Sequence, residues 1–218
     1  MSKDGFAWPE PLASYRKWYD PSQPLADFLY QLGVALLKKG EMQAALCALT
    51  NSYQQTPSRP QLAYYLGMAY HQLGDWTQAL GYYREALKFE PKAARIYNNI
   101  GTVFETLQSY PKALQYYRQA ILHDQKHADS YYNIANLMRK TGQLQEAVTF
   151  YQKALDLKPK LLEAWVNLAP VLRQLNDFGA ALQAYEHIKQ IDPKNQTAAH
   201  WIKTLNEVKA DPTTDESS

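Results

Sequence analysis

The side chains that most often carry catalysis are present in this sequence, but they are scattered. His71, His123, His127, His187 and His200 fall at unrelated places along 218 residues, and no H-E-x-x-H metal pair is among them. His123 and His127 share one helical face at i and i+4 and could hold a metal weakly, but beside a turn they read as a surface pair. Cys47 is the only cysteine, which excludes an internal disulfide and a cysteine-rich metal site. The sequence has no phosphate loop G-x-x-x-x-G-K, no nucleophile elbow G-x-S-x-G and no dinucleotide fingerprint G-x-G-x-x-G. The expectation is a chain that is not an enzyme and needs no cofactor.

Binding is the remaining chemistry, and composition narrows it. Lys and Arg total 23 against 21 Asp and Glu, a net charge of +2. That balance gives no electrostatic reason to expect nucleic acid or an anionic membrane as partner. No run of 18 apolar residues occurs, and residues 1–11 contain no apolar core of a signal peptide, so neither membrane insertion nor export is expected. The localisation read from this is cytoplasmic. Hydrophobic residues make up 46%, which is enough to fold, and 17 tyrosines are available as contact groups.

The elements that must position those groups repeat every 34 residues. Leu66-Gly67, Tyr70, Ala79, Tyr83, Ala86 and Pro91 are followed at that spacing by Ile100-Gly101, Phe104, Ala113, Tyr117, Ala120 and Gln125. Ile134-Ala135, Met138, Ala147, Tyr151, Ala154 and Pro159 come next. Extending the phase both ways gives five units: 26–59, 60–93, 94–127, 128–161 and 162–195. Within a unit the apolar spacing is helical on two faces, so each unit reads as a helix pair. Gly40, Gly74, Gly142 and Asn176 suit left-handed C-terminal caps, and Asp75, Ser109 and Asp177 suit N-caps of the second helix. Pro57, Pro91, Pro159 and Pro193 stop that helix. Pro170 falls inside the first helix of the fifth unit, where it removes a hydrogen bond to Val166 and should bend the helix.

The ends do not repeat. Residues 1–25 hold Phe6, Trp8, Tyr15, Trp18 and Tyr19, with Leu12, Tyr15 and Tyr19 spaced for a short helix over 11–20. They read as a cap on the apolar end of the array or as an aromatic arm that docks on a second copy. Residues 196–209 read as a capping helix with Ala199, Ile202, Leu205 and Val208 on its apolar side. Residues 210–218 read as an acidic disordered tail.

The order of Trp or Tyr, Leu-Gly, Tyr, Ala, Tyr, Ala and Pro at this period resembles the tetratricopeptide repeat (TPR) family. The resemblance implies an all-α fold, a right-handed α-α superhelix (TPR solenoid) of five helix pairs with a C-terminal capping helix. It also implies a non-catalytic adaptor whose first helices line a groove for a peptide or partner protein. By position in those helices the groove would display Tyr30, Tyr64, Tyr65, Asn98, Asn99, Thr102, Tyr132, Asn133, Asn136, Arg139 and Asn167. Asn99, Asn133 and Asn167 would form a ladder similar to that of the O-linked N-acetylglucosamine transferases, each amide offering a donor and an acceptor to an extended backbone. The carboxylate clamp of chaperone-binding members is incomplete: Tyr132 replaces a Lys, and Tyr64 and Met68 fail the first-unit places. Arg95, Arg139 and Arg173 would favour an acidic ligand unless Glu105, Asp129 and Glu163 pair with them. The alternatives are self-association through the aromatic N-terminal segment, or recruitment of substrate to a separate enzyme.

Overall fold

Left-handed turns punctuate the chain where helices meet. Gly40, Gly74 and Gly142 have φ of 85°, 79° and 80°, and Asn176 has φ 60°. Each releases the chain from a first helix and lets the next run back along it. Gln108, with φ 57°, does the same without the freedom of glycine. Asp75 and Asp177 cap the following helices, accepting from the N–H of Gln78 and Ala180 at 3.0 Å each. Ser109 makes no such side-chain cap, contrary to the expectation from its place.

The computed structural model describes residues 6–210, the side chains of Pro60 and Ala210 excepted. Positions 211–218 of the expected acidic tail lie outside the described residues. Among the described residues there are twelve α-helices and no strand. They are α1 (Glu10–Ala13), α2 (Leu25–Lys39), α3 (Met42–Gln55), α4 (Pro60–Gln72), α5 (Trp76–Phe89), α6 (Ala94–Thr106), α7 (Tyr110–His123), α8 (Ala128–Lys140), α9 (Leu144–Leu157), α10 (Leu162–Gln174), α11 (Phe178–Ile191) and α12 (Gln196–Ala210). No helix among the described residues is long and apolar enough to cross a membrane.

The described residues form two compact units, divided between Leu107 and Gln108. In the first, α2 packs on α3 and α4 on α5, while α2, α4 and α6 are neighbours through their own faces. In the second, α8 packs on α9 and α10 on α11, α8 neighbours α10, and α12 lies on α11. Small residues let paired helices close up and one large ring fills what remains. Ala79, Tyr83 and Ala86 are buried on α5, as are Ala147, Tyr151 and Ala154 on α9. Burying each such ring contributes about 2 kcal/mol. At Gly33 and Gly67 the approach is too close for a side chain: an added Cβ would stand 2.6 Å from Leu49 and from the Tyr83 ring respectively.

The N-terminal segment packs on its own unit. Instead of one helix over 11–20, it makes the single turn of α1 and a 3-10 turn at Arg16–Trp18. Two anchors explain the break. Leu12 is wholly buried in the core of α2 and α3, and the Tyr15 hydroxyl donates to the Glu41 carboxylate. Phe6, Trp8, Tyr19 and Phe28 form a chain of ring contacts, with centroids 5.2–6.0 Å apart. Trp18 alone of the segment's rings is largely exposed, at 61%.

At the other end, α12 begins with Asn195 accepting from the Ala198 N–H at 3.0 Å. It buries Ala198 and Leu205 and leaves Val208 44% exposed, so the contact stripe is Ala198, Trp201 and Leu205. The expected stripe at strict spacings of three drifts round a 3.6-residue helix by about 60° per step and ends on the opposite side. Pro170 sits inside α10, which continues through it to Gln174.

Candidate functional site

In the first unit the groove positions collect a tyrosine cluster on α2 and α4. The rings of Tyr30 and Tyr65 meet edge to face at 5.9 Å, and those of Tyr64 and Tyr65 at 5.3 Å. All three are half-buried. Two arginines cover the cluster: Arg59 lies 4.8 Å from the centre of Tyr30 and Arg95 lies 5.0 Å from that of Tyr64. Arg59 is held by Asp27, and Arg95 by Glu90 at 2.5 Å. Glu90, rather than Glu105, is therefore the counter-ion of Arg95. The Asn99 amide donates to the Tyr64 hydroxyl at 3.4 Å, which with the burial of the ring fixes Tyr64 between α4 and α6. Burial raises the Tyr64 and Tyr30 phenols above their ordinary range, so both are neutral contact groups.

The second unit repeats the tyrosine–asparagine clamp and extends it. Asn167 on α10 donates to the Tyr132 hydroxyl at 3.0 Å and to Asn136 Oδ1 at 3.1 Å. The same Oδ1 accepts from the buried Tyr151 hydroxyl at 2.5 Å. Four side chains from α8, α9 and α10 thus form one network. Asn133 is half-buried on α8 and Arg139 is exposed. Asp129 pairs with Lys158 at 2.8 Å, and so is not the partner expected for Arg139.

Three expectations change. Asn98 is buried, with 8% of its surface exposed, and does not present its amide to a ligand. The Thr102 hydroxyl donates to Asn99 O of its own helix at 2.7 Å. The Asn167 donors are used inside the protein, so its amide positions Tyr132 before it can serve a ligand's backbone. Periodicity also does not reveal Arg59, which precedes Pro60 and has no arginine at the matching place in the next unit. Among the described residues no cluster of His, Cys, Asp and Glu could hold a metal ion. His71 and His127 are held neutral by burial, which lowers both from the ordinary imidazole value.

These helix pairs, with small residues at their crossings and the buried rings of Tyr83 and Tyr151 on their second helices, match the sequence pattern of the tetratricopeptide repeat over residues 58–126, 93–160 and 126–194, more than half of the chain. The protein belongs to the tetratricopeptide repeat family, and the fold class is that family's all-α repeat. No curated protein matches it in sequence. Similar solved structures include that of PilF from Pseudomonas aeruginosa, with 21% identity, a TM-score of 0.73, and 84% of each chain covered. A thermophilic TPR protein from Thermus thermophilus has 19% identity and a TM-score of 0.66, over 84% of this chain and 99% of that one. YrrB, described as a TPR protein with an unusual peptide-binding site, has 18% identity and a TM-score of 0.58, over 90% of this chain and all of its own. At these identities the likeness is one of fold. Family membership supports a role in protein interaction.

Proposed function

We propose that the protein is a non-catalytic cytoplasmic adaptor that holds an extended segment of a partner protein on the first helices of its repeats. The observation that carries this reading is the tyrosine cluster Tyr30, Tyr64 and Tyr65 under Arg59 and Arg95. Its rings are partly open to solvent and already held in place by neighbours. Binding to such rings orders few additional rotamers, which makes them efficient anchors. The amides of Asn99 and Asn167 act in this reading as braces for Tyr64 and Tyr132. In the second unit, taken by itself, the corresponding positions are Asn133, Asn136 and Arg139. The aromatic N-terminal segment is less suited to reach into a second copy, because Leu12, Trp8 and Tyr15 are engaged on α2 and α3 of their own chain.

The test is selection of binding peptides from a displayed random library on the full chain, followed by titration of the winners against Tyr65→Ala. Loss of a well-packed aromatic anchor should weaken binding by roughly 30-fold, with helicity by circular dichroism unchanged. Peptides that bind Tyr65→Ala as tightly as wild type would remove the cluster from the site.

A further inference from the structure

The clamp that recurs along the repeats is missing at its last step. Val166 stands 34 residues after Tyr132, and Trp201 stands 34 after Asn167. Pro170 takes the place of Asn136, so Tyr185, the counterpart of Tyr151, has no amide there to accept from it, and Arg173 hydrogen-bonds its hydroxyl instead. Two cavities lie where the clamp would be. One of about 520 Å³ is lined by Pro170, Arg173, Phe178, Trp201, Leu205 and Val208 among others. The other, of about 200 Å³, shares Pro170, Arg173 and Trp201 and reaches Val166 and Tyr185.

We propose that this cleft between α10 and α12 is a second binding site, which takes an apolar side chain and a carboxylate carried together on a short segment of a partner protein. The apolar half is argued by exposure: Phe178 and Val208, both 44% open to solvent, line the larger cavity, and Val166, 43% open, lines the smaller one that adjoins it at Pro170, Arg173 and Trp201. The charged half is Arg173. Its guanidinium lies 3.4 Å from the centre of the Trp201 ring, and its Nε is buried with no hydrogen-bond partner. No acidic residue lines either cavity, in contrast to the carboxylates that hold Arg59 and Arg95. A planar guanidinium fixed against an aromatic face and held by the Tyr185 hydroxyl presents its remaining donors for a carboxylate with little further ordering. Tyr185, stacked on Trp201 at 6.2 Å, and Ile188 close the back of the site. The site goes beyond the adaptor surface proposed above and shares none of its residues, so either can fail alone.

The probe is N-acetylphenylalanine, compared with its uncharged amide, titrated into the full chain while the Trp201 indole N–H is followed by NMR. That signal is assigned by its loss in Trp201→Phe. The acid should shift it in a saturable way and bind at least about tenfold more tightly than the amide, since a charge-assisted pair adds more than a neutral one. Arg173→Met should bring the acid down to the affinity of the amide. Because that change touches packed residues, Phe178→Ala on the rim is the second variant, expected to weaken acid and amide alike. Equal binding of acid and amide, or no shift at all, overturns the proposal. So does a chain ending at Ala210 that binds the acid tenfold more tightly than the full chain, since the occupant would then be the protein's own acidic residues 211–218.

Discussion

Gly67 and Ala135 hold the same place in their helix pairs, two repeat lengths apart, and each faces a buried tyrosine of the second helix. In the first unit the absence of a side chain lets the Tyr83 ring press against α4, where an added Cβ would be 2.6 Å from it. Met68 follows, offering no strong acceptor, so within its own helix pair the Tyr83 hydroxyl reaches His71 Nδ1 at 3.4 Å, and the Asn99 amide of the next helix approaches it as well. In the second unit a methyl group stands at the crossing, Asn136 follows it, and the Tyr151 hydroxyl reaches that amide at 2.5 Å. One architecture therefore supports two ways of seating the same ring. The first relies on closeness of packing and the second on a buried polar network, whose members must all be satisfied.

The largest effect should come from forcing the second seating on the first unit. Gly67→Ala gains helix propensity worth about 1 kcal/mol, but it drives a methyl into a ring whose own pocket is closed. The net loss expected from overpacking is about 1–3 kcal/mol of stability by urea denaturation. If Gly67→Ala is neutral or stabilising, Tyr83 can slide into the position that Tyr151 occupies, and the difference between the units is one of residue choice alone.

A smaller effect separates the hydroxyls. Tyr151→Phe leaves the Asn136 network short of one donor and should cost about 1–2 kcal/mol, while Tyr83→Phe removes a long contact and should cost less than about 0.5 kcal/mol. Paired urea titrations of the two variants give the contrast directly. Equal losses would mean that the Asn136 network gives the Tyr151 hydroxyl no advantage over that of Tyr83.

The contrast between Met68 and Asn136 also marks how far the sequence could be read. The period itself was legible because each turn needs a left-handed residue and each crossing a small one, so Gly40, Gly74, Gly142 and Asn176 announce themselves. Gln108 did not, since a residue with no preference for positive φ carries no signal. Placing tyrosines and asparagines on the first helices was equally accessible. What the period could not convey was which of them spend their polar atoms on each other. The bonds from Asn99 to Tyr64 and from Asn167 to Tyr132 run between repeats, at separations of 35 residues, and they depend on rotamers rather than on spacing. For the same reason the burial of Asn98, the seating of Arg59 on Tyr30 and the contact stripe of α12 emerge only with packing.

The smallest effect is one of pH, and it belongs to the first unit's choice of partner. Within the helix pair an imidazole reaches Tyr83 where the second unit uses the Asn136 amide, and burial lowers the pKa of His71 below its ordinary value of 6.5. The unfolded chain then takes up this proton more readily than the folded one. Stability is unaffected above the unfolded value, falls as pH drops below it, and levels off once the folded-state value is passed. His127 in the second unit is also lowered by burial, but Asp129 and Asp124 oppose the shift, so its contribution should be the weaker. Melting temperatures at about pH 7.5 and about pH 5.5 should therefore lie closer together in His71→Gln than in wild type. His127→Gln should narrow the gap less. A gap unchanged by His71→Gln would mean that the ring is hydrated well enough to charge in place, and that the packing of Tyr83 against Gly67 supports the first unit without help from a neutral imidazole.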